Sequence, residues 1–122
     1  MAKEMRFVLL LDFYGDLLTD KQQELMRFYY EDDLSLSEIS ENEGITRQGV
    51  HDAIRRSEAV LQEMEDKLGL AARFQKINES ADQIDTITRQ ILDENEAYCY
   101  SSGLSEKANQ ILELTRKLRE EF

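Results

Sequence analysis

The chain has 122 residues, 34% of them charged and 41% hydrophobic, with a formal net charge of −11 at pH 7. This composition is typical of a soluble, helix-rich protein, and the length suits one compact domain or a small domain with an appended helical piece. No stretch approaches the roughly 20 consecutive apolar residues that cross a bilayer. The N-terminus also lacks a signal-peptide pattern, so the sequence excludes membrane insertion and predicts a cytoplasmic protein.

Proline and cysteine usage narrows the fold further. The chain has no proline and only five glycines, which favours a few long helices joined by short links because proline ends helices. Cys99 is the only cysteine, so an intrachain disulfide is excluded and a reducing compartment is indicated. We interpret Cys99 as a passive residue near a loop.

Two helices are predicted before residue 31. Lys3 to Leu18 should form the first, because apolar residues recur at spacings of three and four: Phe7, Leu10, Leu11, Tyr14 and Leu18. Thr19 is an N-cap for the second helix, whose later half is densely apolar: Leu25, Met26, Phe28, Tyr29 and Tyr30. The aromatic cluster could stack on bases, but at helical spacing it is typical of core.

The segment from Ser35 to Glu58 predicts a helix-turn-helix. Ser35 or Ser37 can cap a short helix, and Glu38 lies three residues after Ser35 as in a capping box. Gly44 ends that helix because glycine adopts the left-handed conformation without steric cost, and Thr46 caps the next. Four apolar residues are expected to pack between the two helices: Ile39, Ile45, Val50 and Ile54.

Polar side chains follow one exposed side of the second helix, with Asp52 beside them. Arginine and glutamine donors suit base edges and phosphates, and the N-terminal part of such a helix enters a major groove. The predicted nucleic-acid-binding residues are therefore Thr46, Arg47, Gln48, His51, Arg55 and Arg56. An ordinary solvated helix face is the alternative.

The net charge argues against nucleic acid, because phosphate neutralisation supplies most of the affinity in such complexes. The charge is unevenly distributed: residues 1–45 carry four basic and eleven acidic side chains, or −7, whereas residues 46–69 carry four and five, or −1. Local neutrality permits DNA contact. A protein partner with a basic surface would be served equally well by the acidic field.

The rest of the chain predicts long helices packed side by side. The motif's second helix should continue to about Leu68 and end at Gly69. A seam then runs through Leu70, Phe74, Ile77, Ala81, Ile84, Ile87 or Thr88, Ile91, Asn95 and Tyr98. After a Ser-Gly link, a last helix capped by Ser105 continues the alternation at Leu104, Ala108, Ile111, Thr115, Leu118 and Phe122.

These patterns predict an all-α fold: a helix-turn-helix domain of about four helices over residues 1–69, followed by an antiparallel helical hairpin over residues 70–122. The hairpin has isoleucines and leucines on more than one face. We therefore expect a second copy of the chain, or the long middle helix, to cover it, and we predict a homodimer.

Enzyme chemistry finds little support. His51 is the only histidine, and no nucleophile elbow, glycine-rich phosphate loop or zinc-ligand pattern accompanies it. Residues 93–96 resemble part of a calcium loop, but the central glycine is missing. The sequence predicts a protein that is not an enzyme and has no metal or cofactor.

The residues 18–70, and most specifically ITRQGVHDAIRR at 45–56, resemble the YlxM-like helix-turn-helix family of bacteria and, more distantly, region four of bacterial sigma factors. The first resemblance implies an all-helical protein encoded beside the protein component of the signal recognition particle, with a role in that pathway or its regulation. The second implies that Arg47, Gln48, His51 and Arg55 face DNA.

Two residues depart from the sigma-factor pattern. Glu43 stands where an apolar residue usually precedes the glycine, and Gly49 stands where alanine is more usual. Two functions follow: a DNA-binding regulator, or an adaptor that binds the signal recognition particle GTPase or its RNA.

Overall fold

The computed structural model describes residues 3–98 and 100–121. Within those ranges the fold is all-helical, as the sequence predicts, and no strand occurs. The elements are α1 (Arg6–Tyr14), a 3-10 turn (Gly15–Leu17), α2 (Asp20–Tyr30), α3 (Leu36–Glu43), α4 (Arg47–Leu68), α5 (Leu70–Ala97) and α6 (Ser102–Glu120). None of these helices is both long enough and apolar enough to span a bilayer. The predicted properties of Cys99 concern a residue outside the described ranges.

The chain divides into two compact units, residues 1–71 and 72–122. The boundary predicted from the sequence, after Gly69, lies close to this division. Whether the two parts are independent domains stays a prediction.

Local sequence signals set the helix ends of the first unit. The caps predicted at Thr19 and Ser35 are confirmed, since Thr19 forms a complete capping box with Gln22 and Ser35 forms one with Glu38. Ser35 rather than Ser37 is therefore the cap of α3. Gly44 and Gly69 end α3 and α4 in the left-handed conformation, with φ angles of 68° and 64°. Each of these ends is therefore specified by the residue that occupies it.

The core of the first unit lies where α1, α2 and α3 pack against α4. Its largest fully buried side chains include Tyr14, Met26, Ile39, Ile54 and Leu61. The Tyr14 hydroxyl donates to Glu65 at 2.7 Å and accepts from the backbone N–H of Leu70 at 3.0 Å. Burial, followed by the hydrogen bond to Glu65, raises the pKa of Tyr14 above its usual 10.0. This bridge ties α1 to the end of α4.

Three local predictions are wrong. The first helix runs from Arg6 to Tyr14 rather than from Lys3 to Leu18. It ends early because the chain tightens into the 3-10 turn, where the N–H of Leu18 bonds to the carbonyl of Gly15. Ile45 is 41% exposed rather than packed between the helices. The last helix begins at Ser102, and Ser101 rather than Ser105 accepts the capping bond, from the N–H of Leu104.

The second unit is an antiparallel helical hairpin of α5 and α6. The Thr115 hydroxyl bonds to Asp85, and Arg119 pairs with Asp82 at 2.7 Å and with Asp85 at 2.9 Å. Near the turn, the side-chain amide of Asn95 accepts from the backbone N–H of Ser101 and donates to its carbonyl, both at 2.8 Å. These contacts fix the register of the two helices.

Candidate nucleic-acid interface

The predicted turn between α3 and α4 is tightly built. The Ser40 hydroxyl donates to the carbonyl of Ile45 at 2.6 Å, which holds the residue after Gly44 against α3. Thr46 then caps α4, with its hydroxyl accepting from the N–H of Gly49 at 2.9 Å. On α4 the buried side contains Val50 and Ile54, which are fully covered.

Gly49 is explained by this cap. A Cβ added at Gly49 would lie 3.1 Å from Oγ1 of Thr46, which is tighter than an ordinary contact. The glycine therefore gives the capping hydroxyl room to approach the first turn.

The predicted contact residues lie on the first three turns of α4. Arg47, Gln48, Arg55 and Arg56 are exposed, and the side chain of His51 is 31% exposed. Thr46 is also exposed, but its hydroxyl serves as the cap. The structure thus places all six predicted residues on one segment.

These residues do not form one narrow row. Arg47, His51 and Arg55 follow one another at intervals of four and share one flank of α4, which we call the α4 row. Arg56 is nine residues after Arg47, or about 180° around the helix. A partner that contacts the α4 row would therefore reach Arg56 only if it also extended around the helix to the other flank.

Asp52 sits between these two flanks and engages its neighbours. Its carboxylate accepts from Nε2 of Gln48 at 2.9 Å and lies 3.4 Å from Nδ1 of His51. The contacts with His51 and then Gln48 hold the pKa of Asp52 below its usual 3.8. Two of the predicted base-reading side chains are therefore tethered to an acid.

The three arginines of this segment differ in whether a carboxylate lies close to them. Among the residues that the structure describes, Arg47 and Arg56 have no carboxylate within 4 Å. Arg55 lies 3.9 Å from Glu58 and is itself 55% exposed. Arg47 and Arg56 are thus the cations most available to an incoming phosphate.

Sequence reasoning missed two cations that flank the α4 row. Lys3 and Arg47 line one shallow groove, and Arg6 and Arg55 line another. Lys3 lies 4.4 Å from the ring centre of Tyr29 and pairs with Asp33 at 2.7 Å. These neighbours are distant in the sequence, so no local pattern indicated them.

Glu58 is the buried acid of this region, with 6% of its surface exposed. Burial raises the pKa of Glu58 above its usual 4.5, and the guanidinium of Arg55 partly opposes the shift. Within residues 3–98 and 100–121, no group of three or more histidine, cysteine or acidic side chains is placed to hold a metal ion.

Glu43, the other departure from the sigma-factor pattern, is accommodated by a partner. Its side chain is only 12% exposed and forms an ion pair with Lys21 of α2. The hydrogen bond to Glu43 is the main cause of the raised pKa of Lys21. This pair joins α2 to the end of α3, where an apolar contact would otherwise be expected.

Comparison with known proteins identifies the family. Residues 1–101 match the family described as "Putative helix-turn-helix protein, YlxM / p13 like", UPF0122. The chain belongs to this family. The resemblance to the YlxM-like family is therefore confirmed, and the family's description names a helix-turn-helix protein.

Individual relatives support this membership. A UPF0122 protein of Symbiobacterium thermophilum is 55% identical over 76 residues, which cover 62% of this chain and 71% of that protein. A UPF0122 protein of Bacillus mycoides is 41% identical over 118 residues, which cover 97% of this chain and 98% of that protein. The second similarity extends through the hairpin as well as the helix-turn-helix.

Proposed function

We propose that this protein binds duplex DNA through the first turns of α4 and acts as a regulator. The proposal rests on one observation, the arrangement of side chains around α4. The helix is capped and buries Val50 and Ile54 on one side. Its exposed side presents Arg47, Gln48 and Arg55. That arrangement suits insertion of the helix into a major groove. The likeness to sigma-factor region four supports the same orientation.

Electrostatics limit the affinity. Contacts from Arg47, Arg55 and Arg56 would neutralise three phosphates, so the logarithm of the binding constant should fall with the logarithm of salt with a slope of about −2.7. The surrounding acidic charge opposes the approach of DNA, since residues 1–45 carry a net −7. We therefore expect weak, steeply salt-dependent binding to random sequence and tighter binding to a specific site.

Fluorescence anisotropy with a random-sequence duplex pool tests this function. Binding should weaken as salt is added, and Arg47→Ala or Arg56→Ala should reduce the slope by about 0.9 each. Arg89→Ala removes an arginine of α5 that is also exposed and is the matched control. Equal reductions of the salt slope in all three variants, or no binding at low salt, would refute the proposal that α4 binds DNA.

The acidic charge favours a second candidate function, an adaptor in the signal recognition particle pathway. Residues 1–71 carry eight basic and sixteen acidic side chains, a net −8, which suits a basic protein surface. This charge favours the targeting GTPase as the partner, whereas the particle's RNA is itself anionic and is suggested only by the family resemblance. The link to this pathway rests on the family resemblance.

The adaptor is tested by mixing the purified protein with the particle's GTPase, with and without its RNA. A complex and a changed rate of GTP hydrolysis would support the adaptor. If neither is found while the duplex-binding slope depends on Arg47, the DNA function remains. Arg47→Ala separates the two, because an acidic surface that binds a basic partner does not need that arginine.

A further inference from the structure

The hairpin of the second unit leaves one side apolar and exposed. Seven side chains, each between 37% and 63% exposed, form what we call the apolar face: Ile84, Ile87, Ile91, Leu104, Ile111, Leu114 and Leu118. Large contiguous apolar patches on a protein surface mark sites of association. On α6 the face extends about 21 Å from Leu104 to Leu118.

Helix geometry places these residues on the same side. The buried seam contains Thr88 on α5 and Thr115 on α6. Ile91 and Leu118 each follow the seam residue by three positions, and in an antiparallel pair those positions fall on one side of the hairpin. The opposite side carries the Asp85 and Arg119 ion pair, so the two sides differ in character.

The contacts between the two helices of the hairpin bury few large apolar side chains. Among the residues that the structure describes from Ala72 to Glu121, the buried side chains are all small or polar: Ala81, Thr88, Asn95, Ala108 and Thr115. An isolated pair of helices usually needs larger apolar contacts to persist in water. Most of the hairpin's isoleucines and leucines lie on the apolar face instead, and Ile77, Leu92 and Leu112 are only half-buried.

We propose that the apolar face is covered by the same face of a second copy of this chain, giving a four-helix bundle. The two helices carry matching triplets, since Ile84, Ile87 and Ile91 repeat the spacing of Ile111, Leu114 and Leu118. A face with the same pattern on both antiparallel helices is self-complementary about a two-fold axis. With that axis parallel to the helices, α5 packs against α6 of the second copy.

Charge at the turn end of the face fits this arrangement. Glu94 and Lys107 each precede a seam residue by one position, as Ile87 and Leu114 do, and both are exposed. The two-fold axis brings Glu94 opposite Lys107 of the second copy, twice per dimer. The hairpin is also less acidic than the first unit, with a net −3 over residues 72–122 against −8 over residues 1–71, which lowers repulsion between two copies.

Sedimentation equilibrium of the full chain across micromolar concentrations tests the pairing. The wild type should have the mass of a dimer, and Ile87→Glu or Leu114→Glu should raise the dissociation constant at least about a hundredfold. Leu17→Glu is the matched control, because Leu17 is 60% exposed, close to the 63% of Leu114, but lies in the first unit. A monomeric wild type, or a dimer that survives both face variants, would overturn the proposal.

Charge variants test the same dimer without placing a charge in its apolar interface, and so keep the test valid if the Ile87 or Leu114 variant fails to fold. Lys107→Glu should weaken the dimer about fivefold, and adding Glu94→Lys should restore it. A dimer that ignores both changes would contradict the arrangement. Since the readout is mass and none of these residues lies on α4, the pairing can fail without any consequence for DNA binding, and the reverse also holds.

Discussion

Gln48 donates a hydrogen bond from Nε2 to Oδ1 of Asp52 at 2.9 Å, one turn further along the exposed side of α4. A glutamine held in this way cannot bond to a base edge until the contact is broken. Asp52 also repels phosphate. Asp52 therefore holds Gln48 in place and at the same time weakens the binding of DNA to this surface.

Asp52→Asn is accordingly expected to strengthen duplex binding roughly two- to fivefold at low salt, because it removes one negative charge from the surface. Fluorescence anisotropy with the random-sequence pool measures the change. Asp66→Asn, on the exposed C-terminal part of the same helix, is the control and should have a smaller effect. Equal gains at both positions would show that only the net charge matters.

The turn itself can be tested at Gly44. Because Gly44 has a φ of 68°, Gly44→Ala should lower the free energy of unfolding by about 1–2 kcal/mol. Gly44→Asn should lose less, since asparagine tolerates the left-handed conformation. Urea denaturation followed by circular dichroism compares the two, and equal stabilities would contradict the role of this turn.

The cap at Thr46 and the glycine at residue 49 should be coupled. In a Thr46→Ala background, Gly49→Ala should gain about 1 kcal/mol from helix propensity. With Thr46 present the gain should be smaller, because the new Cβ would lie 3.1 Å from the capping oxygen. A double-mutant cycle in urea measures this coupling, and strictly additive effects would refute it.

Glu58 should make the stability of the first unit depend on pH. Its pKa in the unfolded chain is near 4.5, and burial raises the pKa in the folded chain. The folded state therefore binds more protons above pH 4.5, and stability falls as pH rises through the raised pKa. Glu58→Gln should remove this loss and be more stable at pH 7 but not at pH 4.

The control for that experiment is Glu63→Gln, which changes an exposed carboxylate on the same helix; the side chain of Glu63 is 60% exposed. Its pH profile of unfolding should follow the wild type. A parallel shift in both variants would mean that burial of Glu58 does not cause the effect.

Local signals explain what the sequence could predict. The capping boxes at Thr19 and Ser35 and the left-handed glycines at Gly44 and Gly69 depend on residues within four positions of one another. The ends of the two helices of the helix-turn-helix were therefore predictable down to single residues, although the exposure of Ile45 was not. So was the presence of unburied isoleucine and leucine in the hairpin.

Tertiary contacts explain what it could not. The link between Lys21 and Glu43, and the placement of Lys3 beside Arg47, join residues at least 22 positions apart. The cap at Ser101 was missed for a similar reason, because Asn95 bonds to that residue and fixes where α6 begins. Periodicity alone does not report such pairings.

The proposed function requires the exposed side of α4 to contact DNA. Amide chemical-shift mapping of the isotope-labelled protein, titrated with a duplex enriched from the random pool, locates that contact residue by residue. We predict the largest changes at residues 46–56, smaller changes at Lys3 and Arg6, and little change in residues 77–118. Changes confined to the hairpin, or none at a concentration where anisotropy reports binding, would contradict the claim.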